Sequence, residues 1–335
     1  KPRAVELMCG FAGIARGEPR GVETEALGRM AAAIRHRGPD GYGFYTGRRV
    51  GLAHVRLSII DVEGGAQPMA NEDGRLWVVF NGEIYNYVEL GEELRAAGHR
   101  FRTRCDTEVI VHAYEEWGPG CVDRFNGEFA FALYDRRDES VFLARDRFGV
   151  RPLFYAVRGG DLYFGSEMKA LFASGGVEAE VSPEGLDEIM TFWAARPPRT
   201  PFHEVWSLEP GQWAQWRDGR LEKRKYYELT FPDETRPTDG ARTELDALMH
   251  DGIDIRMRSD VPVGGYLSGG LDSSITAAMA GRASPYTLRT FSVTFADERF
   301  DESGFQMEVA EALGSRHRMQ PMGADEVAAV FPDVI

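Results

Sequence analysis

Met8-Cys9-Gly10-Phe11-Ala12-Gly13-Ile14 opens the first apolar segment of the chain with a cysteine directly after a methionine. Removal of everything through Met8 would leave Cys9 with a free α-amine. One residue would then carry both a thiol nucleophile and a base of near-neutral pKa, about 7.7–8.0. That is an N-terminal-nucleophile arrangement. With Lys1 to Met8 attached, the Cys9 nitrogen is an amide and takes no proton. Residues 1–8 read as a processed leader, an upstream start or an added segment, and the mature chain is expected to start at Cys9.

The rest of the composition bounds the class. At 335 residues and 43% hydrophobic content, the chain has apolar material for two ordinary cores, and two domains are expected. No run approaches the roughly 20 apolar residues of a membrane helix, and Lys1 to Leu7 lacks the apolar core of a signal peptide, so the expected location is cytoplasmic. Three cysteines (Cys9, Cys105, Cys121), an odd number with no CxxC pair, argue against both a disulfide framework and a zinc site. Cys105 and Cys121, inside structured patterns, read as buried small hydrophobes. A formal charge of -14 speaks against nucleic-acid binding through a basic face.

Up to about Leu229 the sequence alternates short β-like runs with Gly and Asp turns: Phe44 to Val50, Leu76 to Phe80, Phe129 to Asp135, Val141 to Arg145 and Leu162 to Gly165. Helical periodicity appears at Glu23 to Ile34, Tyr87 to Ala97 and Thr107 to Trp117. Gln212 to Gln215, Asp218-Gly219 and Leu221 to Tyr227 predict a closing hairpin. This half, 9–230, reads as α+β with packed antiparallel sheets. A polar stretch with two prolines places a linker at 231–240. Beyond it, in 241–335, the order is a helix from Ala241 to Arg258, a strand from Val261 to Leu267, a helix from Ser273 to Gly281 and a strand from Thr290 to Phe295. A helix from Asp301 follows, with Phe305, Val309, Ala312 and Leu313 on one face and Gly314 at its end. This is the opening of a parallel α/β sheet with about two strand and helix pairs, and the natural protein is expected to continue past Ile335.

Around Cys9 the sequence supplies what a glutaminase needs. A fixed guanidinium binds an α-carboxylate in two-pronged fashion, a carboxylate takes an α-ammonium, and an Asn amide with a Gly N–H stabilises an oxyanion. Singly, Arg56 reads equally as a surface strand arginine, Asn81-Gly82 as a hairpin turn, and Asp106 as an N-cap for the helix from Thr107. His36 and His54 read as hydrogen-bonded scaffold, because an N-terminal amine makes a separate base unnecessary.

The strings MCGFAGI, RHRGPDG, HVRLSIID, NGEIYNY, CDTEVI, GEFAFALYD and ARDRFGVRPLFY, in this order across residues 8 to about 230, resemble the class II glutamine amidotransferase domain of glutamine-hydrolysing asparagine synthetases. The resemblance implies an Ntn-hydrolase-type sandwich of antiparallel sheets between helices. It also implies Cys9 as nucleophile with its α-amine as base, Asn81 and Gly82 as oxyanion hole, and Arg56 and Asp106 as clamps on glutamine. Leu57, Ser58, Ile59, Ile60 and Glu83 are implied as further lining of the glutamine pocket.

A second site is implied at Leu267-Ser268-Gly269-Gly270-Leu271-Asp272-Ser273-Ser274, between an apolar strand and a helix. Glycines let the backbone approach phosphates, hydroxyls and N–H groups donate, and the helix N-terminus favours an anion. The segment lacks the lysine of a Walker A loop and is similar to the pyrophosphate loop of ATP pyrophosphatases. The similarity implies an ATP-pyrophosphatase-type α/β domain and ATP as substrate. It offers Asp272 to Mg2+ together with the phosphates, and the Val293 backbone to adenine. No organic cofactor is implied. The family resemblance further implies attack of an aspartate side-chain carboxylate on the α-phosphate of ATP, release of pyrophosphate, and transfer of internally channelled ammonia from Cys9 to the acyl-adenylate. A homodimer is an expectation carried by the resemblance alone. Gly323-Ala324-Asp325-Glu326 imitates a later loop of the family but reads as an ordinary helix start. A chain ending at Ile335 is expected to have its synthetase activity absent or badly impaired. Two alternatives stand beside the leading reading: a relative that amidates another carboxylate, and a module with a blocked Cys9 that binds glutamine without hydrolysing it.

Overall fold

The computed structural model describes residues 8–231, 239–297 and 299–334. Lys1 to Leu7 of the expected leader, and most of the expected linker, lie outside the described residues. The chain divides into two compact units, Lys1–Phe231 and Pro232–Ile335.

The first unit runs β1 (Gly10–Ala15), α1 (Thr24–Ala33), β2 (Gly41–Thr46), β3 (Val50–Arg56), β4 (Met69–Ala70), β5 (Leu76–Ile84), α2 (Tyr87–Ala96), α3 (Asp106–Trp117) and α4 (Cys121–Arg124). It continues through β6 (Gly127–Asp135), β7 (Ser140–Arg145), β8 (Phe154–Arg158), β9 (Asp161–Gly165), α5 (Met168–Ala173), α6 (Pro183–Phe192), β10 (Trp206–Ser207), β11 (Gln212–Arg217) and β12 (Arg220–Lys225). The strands form two six-stranded antiparallel sheets, ordered β10-β8-β9-β1-β3-β2 and β12-β11-β7-β6-β5-β4.

Strand alternation explains the layers, because successive side chains leave a sheet on opposite faces. In β6, Phe129, Phe131 and Leu133 pack with α2 and α3, whereas Ala130, Ala132 and Tyr134 enter the space between the sheets. In β1, Phe11 and Ala15 face the other sheet, and Ala12 and Ile14 face α1 and α5. Both faces of each sheet are thus apolar, and the result is a helix, sheet, sheet, helix sandwich. Phe44 to Val50 is not one strand: β2 ends at Thr46, and Gly47 N donates to Val50 O (2.8 Å), turning the chain into β3. The hairpin at Asp218-Gly219 has both residues at positive φ, 48° and 78°, as a tight two-residue turn requires.

The second unit contains α7 (Ala241–Arg256), β13 (Gly264–Tyr266), α8 (Leu271–Ala283), β14 (Arg289–Phe295), α9 (Ser303–Leu313), β15 (Arg316–Met322) and α10 (Ala324–Val334). Its sheet is parallel, in the order β13-β14-β15. Leu267, Ala277, Leu288 and Ala310 form the buried core, with Val309 and Leu313 against it. The inward face of α9 differs from the expected one. Phe305 and Ala312 are exposed, while Gln306 and Ala310 are buried. Gln306 is accommodated there because its Nε2 donates to Val293 O at 3.1 Å. Gly314 ends α9 in the left-handed region, as expected for a C-terminal glycine. Gly323-Ala324-Asp325-Glu326 is a helix start, with Gly323 N donating to Glu326 Oε2 at 2.9 Å.

Candidate active site

Cys9 immediately precedes β1 and sits two residues before the inward-facing Phe11. Asn81 lies in β5, two residues after the inward-facing Val79. Alternation therefore sends both side chains toward the space between the sheets, and they line one cavity. Arg56, Leu57, Ile59, Ile60, Gly82, Glu83 and Asp106 line it with them, so the fold gathers residues from four separate segments of sequence.

The Cys9 sulfur is held by Leu57, whose N–H donates to it at 3.3 Å and whose carbonyl lies 3.4 Å away. Burial pushes the thiol up to about 11, a shift that the Leu57 hydrogen bond and the Arg56 and Arg151 charges oppose and the Asp106 charge reinforces. The sulfur is thus a thiol at neutral pH and needs a base to become a nucleophile. The backbone beside it is anchored: Arg37 Nε donates to Cys9 O at 3.0 Å, and Arg37 Nη1 reaches Glu167 at 2.9 Å. His36 Nε2 meets the same Glu167 oxygen at 2.9 Å, which makes His36 scaffold. His54 is fully buried and forms a 3.1 Å hydrogen bond with Phe80 O, joining β3 to β5. Its burial holds it down to about 3, so it is neutral.

Asn81 and Gly82 are not a hairpin turn but the interior of β5, paired with Ala130 and Phe129. Asn81 is 1% exposed, and its Nδ2 is buried without a hydrogen-bond partner among the described residues. A buried, unpaired amide donor is costly, and a native structure keeps one where something else will accept from it. Gly82 has φ +145°, and a Cβ there would stand 2.0 Å from Glu128 O, so only glycine fits.

Arg56 is not a loose surface arginine. Its Nη1 donates to Val62 O (2.8 Å) and its Nη2 to Asp61 O (2.7 Å) and Ile60 O (3.3 Å), which fixes the guanidinium as a rigid fork. Asp106 is the first residue of α3 rather than its N-cap, and its Oδ2 accepts from Ile84 N at 3.0 Å. Burial raises its carboxyl to about 6.

Ser58 is the assigned residue that the structure does not bring in: it does not line the cavity, and its N–H donates to Asp40 Oδ2 at 2.8 Å. Arg151, Gly65, Gln67 and Thr107 line the cavity without having been assigned. Gln67 Oε1 accepts from Phe80 N (2.7 Å) and its Nε2 donates to Thr107 Oγ1 (3.2 Å). Arg151 pairs with Glu128. Its signal was present, since it stands inside the quoted ARDRFGVRPLFY string, as did Gly65 in Gly64-Gly65. A Cβ at Gly65 would stand 2.3 Å from Arg56 Nη2. Cys105 is buried as expected and also borders this cavity; Cys121 is buried elsewhere in the core. Burial drives both thiols upward.

In the second unit Leu267 is buried and its N–H donates to Phe291 O (2.8 Å), which ties the loop start to β14. Ser268 Oγ and Ser273 Oγ are 2.9 Å apart, and Ser274 Oγ donates to Gly270 O at 2.7 Å. Gly269 has φ +87°, and a Cβ there would stand 2.8 Å from Phe305 Cβ. Gly270 is the N-cap of α8 and, among the described residues, no side chain caps this helix start, which leaves its first N–H groups without a side-chain acceptor there. Leu271 and Asp272, in its first turn, are exposed. Val293 lies beyond the last pair of β14 with β13, and Gln306 occupies one side of its carbonyl.

The family profile of the glutamine amidotransferase domain matches residues 8–227, and that of asparagine synthase matches residues 244–335. The chain belongs to the glutamine-hydrolysing asparagine synthetase family. It is 37% identical over 332 residues to glutamine-hydrolysing asparagine synthetase 1 of Bacillus subtilis, covering 98% of this chain and 52% of that protein. It is likewise 37% identical over 328 residues to synthetase 3 of the same organism, covering 92% of this chain and 53% of that protein. The chain thus spans about half the length of these curated relatives. In fold it is similar to the glutamine phosphoribosylpyrophosphate amidotransferase of B. subtilis, at a TM-score of 0.50, 17% identity, and coverage of 93% of this chain and 65% of that one. A solved allosteric regulatory enzyme of purine biosynthesis gives a TM-score of 0.51 at 18% identity, covering 93% of this chain and 80% of that one. The expected sandwich of antiparallel sheets followed by a parallel sheet is the fold of this family member. Among the described residues, no helix is long and apolar enough to cross a membrane.

Proposed function

We propose that the first unit hydrolyses glutamine and that the second binds ATP, as the two halves of a glutamine-dependent asparagine synthetase. The observation that carries the reading is Asn81: a buried amide donor without a hydrogen-bond partner among the described residues, beside an obligatory glycine, in one cavity with the Cys9 thiol.

The mechanism follows from the groups present. Cleavage of the Met8-Cys9 peptide bond frees the α-amine. The thiol, held as S–H by burial, passes its proton to that amine as sulfur attacks the side-chain carbonyl of glutamine. Asn81 Nδ2 and the Gly82 N–H take the charge that develops on oxygen, and because both are fixed in β5 they need no reorganisation. The fixed fork of Arg56 takes the α-carboxylate, and Asp106, ionised above about pH 6, takes the α-ammonium. Collapse expels ammonia and leaves a thioester, which water then hydrolyses.

In the second unit the Ser268 to Ser274 loop and the start of α8 cradle phosphate oxygens of ATP, and the β-carboxylate of aspartate attacks the α-phosphorus with pyrophosphate as leaving group. Ammonia from glutamine then displaces AMP. The exposed Asp272 carboxylate beside the phosphate-facing loop suits Mg2+, which is commonly held by one carboxylate together with substrate phosphates and would neutralise their charge.

The test compares ammonia release by protein starting at Cys9, protein retaining Lys1 to Met8, and a Cys9→Ala control. Release by the Cys9-started thiol form alone supports the reading. Equal rates in all three remove Cys9 from catalysis and overturn it. Binding of glutamine by the leader-bearing form without release identifies the blocked module.

A further inference from the structure

Glu72, in the turn between β4 and β5, His99, past the end of α2, and His112 and Glu115, one turn apart on α3, converge outside the Cys9 cavity. One donor atom from each lies within 4.8 Å of all the others. His112 is completely buried, and neither ring nitrogen has a hydrogen-bond partner among the described residues. Its Nδ1 faces Glu72 Oε2 at 3.5 Å, and its Nε2 faces Glu108 Oε1 at 3.6 Å.

His99 is oriented in the same way. Its Nδ1 stands 3.9 Å from Glu72 Oε1 and 3.9 Å from Glu115 Oε2, while its Nε2 meets Glu116 Oε2 at 3.3 Å. Each imidazole therefore turns Nδ1 toward the cluster and has a carboxylate beside Nε2, hydrogen-bonded in His99 and 3.6 Å away in His112, and a carboxylate in that position orients metal-bound histidines. The cluster carboxylates are oriented too. Glu72 Oε1 accepts from Arg100 N at 2.7 Å, and Glu115 Oε2 accepts from Asn71 Nδ2 at 2.9 Å.

We propose that Glu72, His99, His112 and Glu115 form a site for one divalent transition-metal ion, with Zn2+ the best match to two imidazoles and two carboxylates. Tetrahedral bonds of about 2.0–2.1 Å separate neighbouring ligand atoms by about 3.4 Å. The separations present, 3.5 Å from His112 to Glu72 Oε2 and 3.9 Å from His99 to Glu72 Oε1 and to Glu115 Oε2, within a set that spans up to 4.8 Å, are those of ligands that close in on a bound ion. Two neutral imidazoles and two carboxylates leave no net charge on a bound divalent ion. Four protein ligands make a closed, structural site, which clamps the β4–β5 turn and the segment after α2 onto α3. The clamp sits six residues, about 9 Å, along α3 from Asp106 in the glutamine cavity.

The test uses the full chain, freed of metal, in a Cys9→Ala background so that this thiol supplies no ligand. Co2+ and Zn2+ are titrated separately in the absence of nucleotide. The expected result is one equivalent bound, the visible d–d absorption of four-coordinate Co2+ without a thiolate band, and a Tm rise of about 5–10 °C at a hundredfold excess of Zn2+ over Kd. His99→Gln and Glu115→Gln, both partly solvent-facing, should each weaken binding at least tenfold while leaving the metal-free Tm within a few degrees of the parent. No saturable equivalent up to millimolar metal, or unchanged binding in both variants, overturns the proposal and leaves the cluster an ion-pair network.

Discussion

Replacing Asn81 with alanine isolates the oxyanion contribution, because among the described residues Asn81 Nδ2 makes no hydrogen bond that the substitution could break. Donors aimed at a developing oxyanion are worth about 2.7–4 kcal/mol, which at about 1.36 kcal/mol per decade is a loss of about 10²–10³ in kcat. The stability cost has a different origin. A mostly buried side chain loses part of its volume, but an unpaired buried donor goes with it, so the net change should stay within about 1 kcal/mol, or about 2–4 °C in Tm for a domain of this size. KM for glutamine should change little, since the donor acts on charge that appears only in the transition state. The assay is ammonia release by protein beginning at Cys9, with thermal unfolding measured on the same preparations. Retention of kcat within threefold would refute the assignment of Asn81. A fall in kcat accompanied by a Tm loss well beyond 4 °C would show that Asn81 acts as structure.

Asp106→Asn tests the ammonium clamp and gives a pH signature. The buried carboxyl titrates at about 6, above its ordinary 3.8, so the folded state binds its proton more tightly than the unfolded state does. Its favourable contribution to stability is complete below about pH 3.8 and is lost as pH rises through about 6. Asp106→Asn should therefore unfold at an equal or higher temperature than the parent at pH 7.5, yet lose at least tenfold in kcat/KM, and the parent's kcat/KM should fall as pH drops through 6; a parent profile flat through that range would refute the clamp. Gly82→Ala should behave oppositely to Asn81→Ala. A Cβ 2.0 Å from Glu128 O at φ +145° forces β5 off β6, so a loss of about 3 kcal/mol, or about 6–12 °C in Tm, is expected in thermal unfolding, and a Tm within 2 °C of the parent would refute the geometry.

Local chemistry was readable along the chain. Short strands and helices announced themselves by period, and Asp218-Gly219 named its own hairpin, because turn preference and side-chain alternation are properties of a few adjacent residues. Where two local readings were both allowed, only the fold chose. Asn81-Gly82 is as good a turn as a strand until β5 is zipped to β6 over nine pairs, and Asp106 is as good an N-cap as a buried carboxylate until Ile84 N donates to it. Phe305 looked more apolar than Gln306, but Gln306 found a backbone carbonyl to bond and could therefore be buried.

The sequence by itself singled out the Cys9 thiol and the glycine-and-serine loop as candidates and determined the order of elements and the family, since each rests on residue types in consecutive positions. It could not place Gln67 around Cys9, remove Ser58 from that company, or bring Glu72 and His99 to α3, and it held Arg151 and Thr107 only inside longer motifs with nothing to single them out. Those relations join segments tens of residues apart, and their distances are set by sheet pairing and by packing of α2 and α3 on β5. A hydrogen-bond partner, a buried unpaired donor and a ligand set are properties of space, and only the tertiary structure decides them.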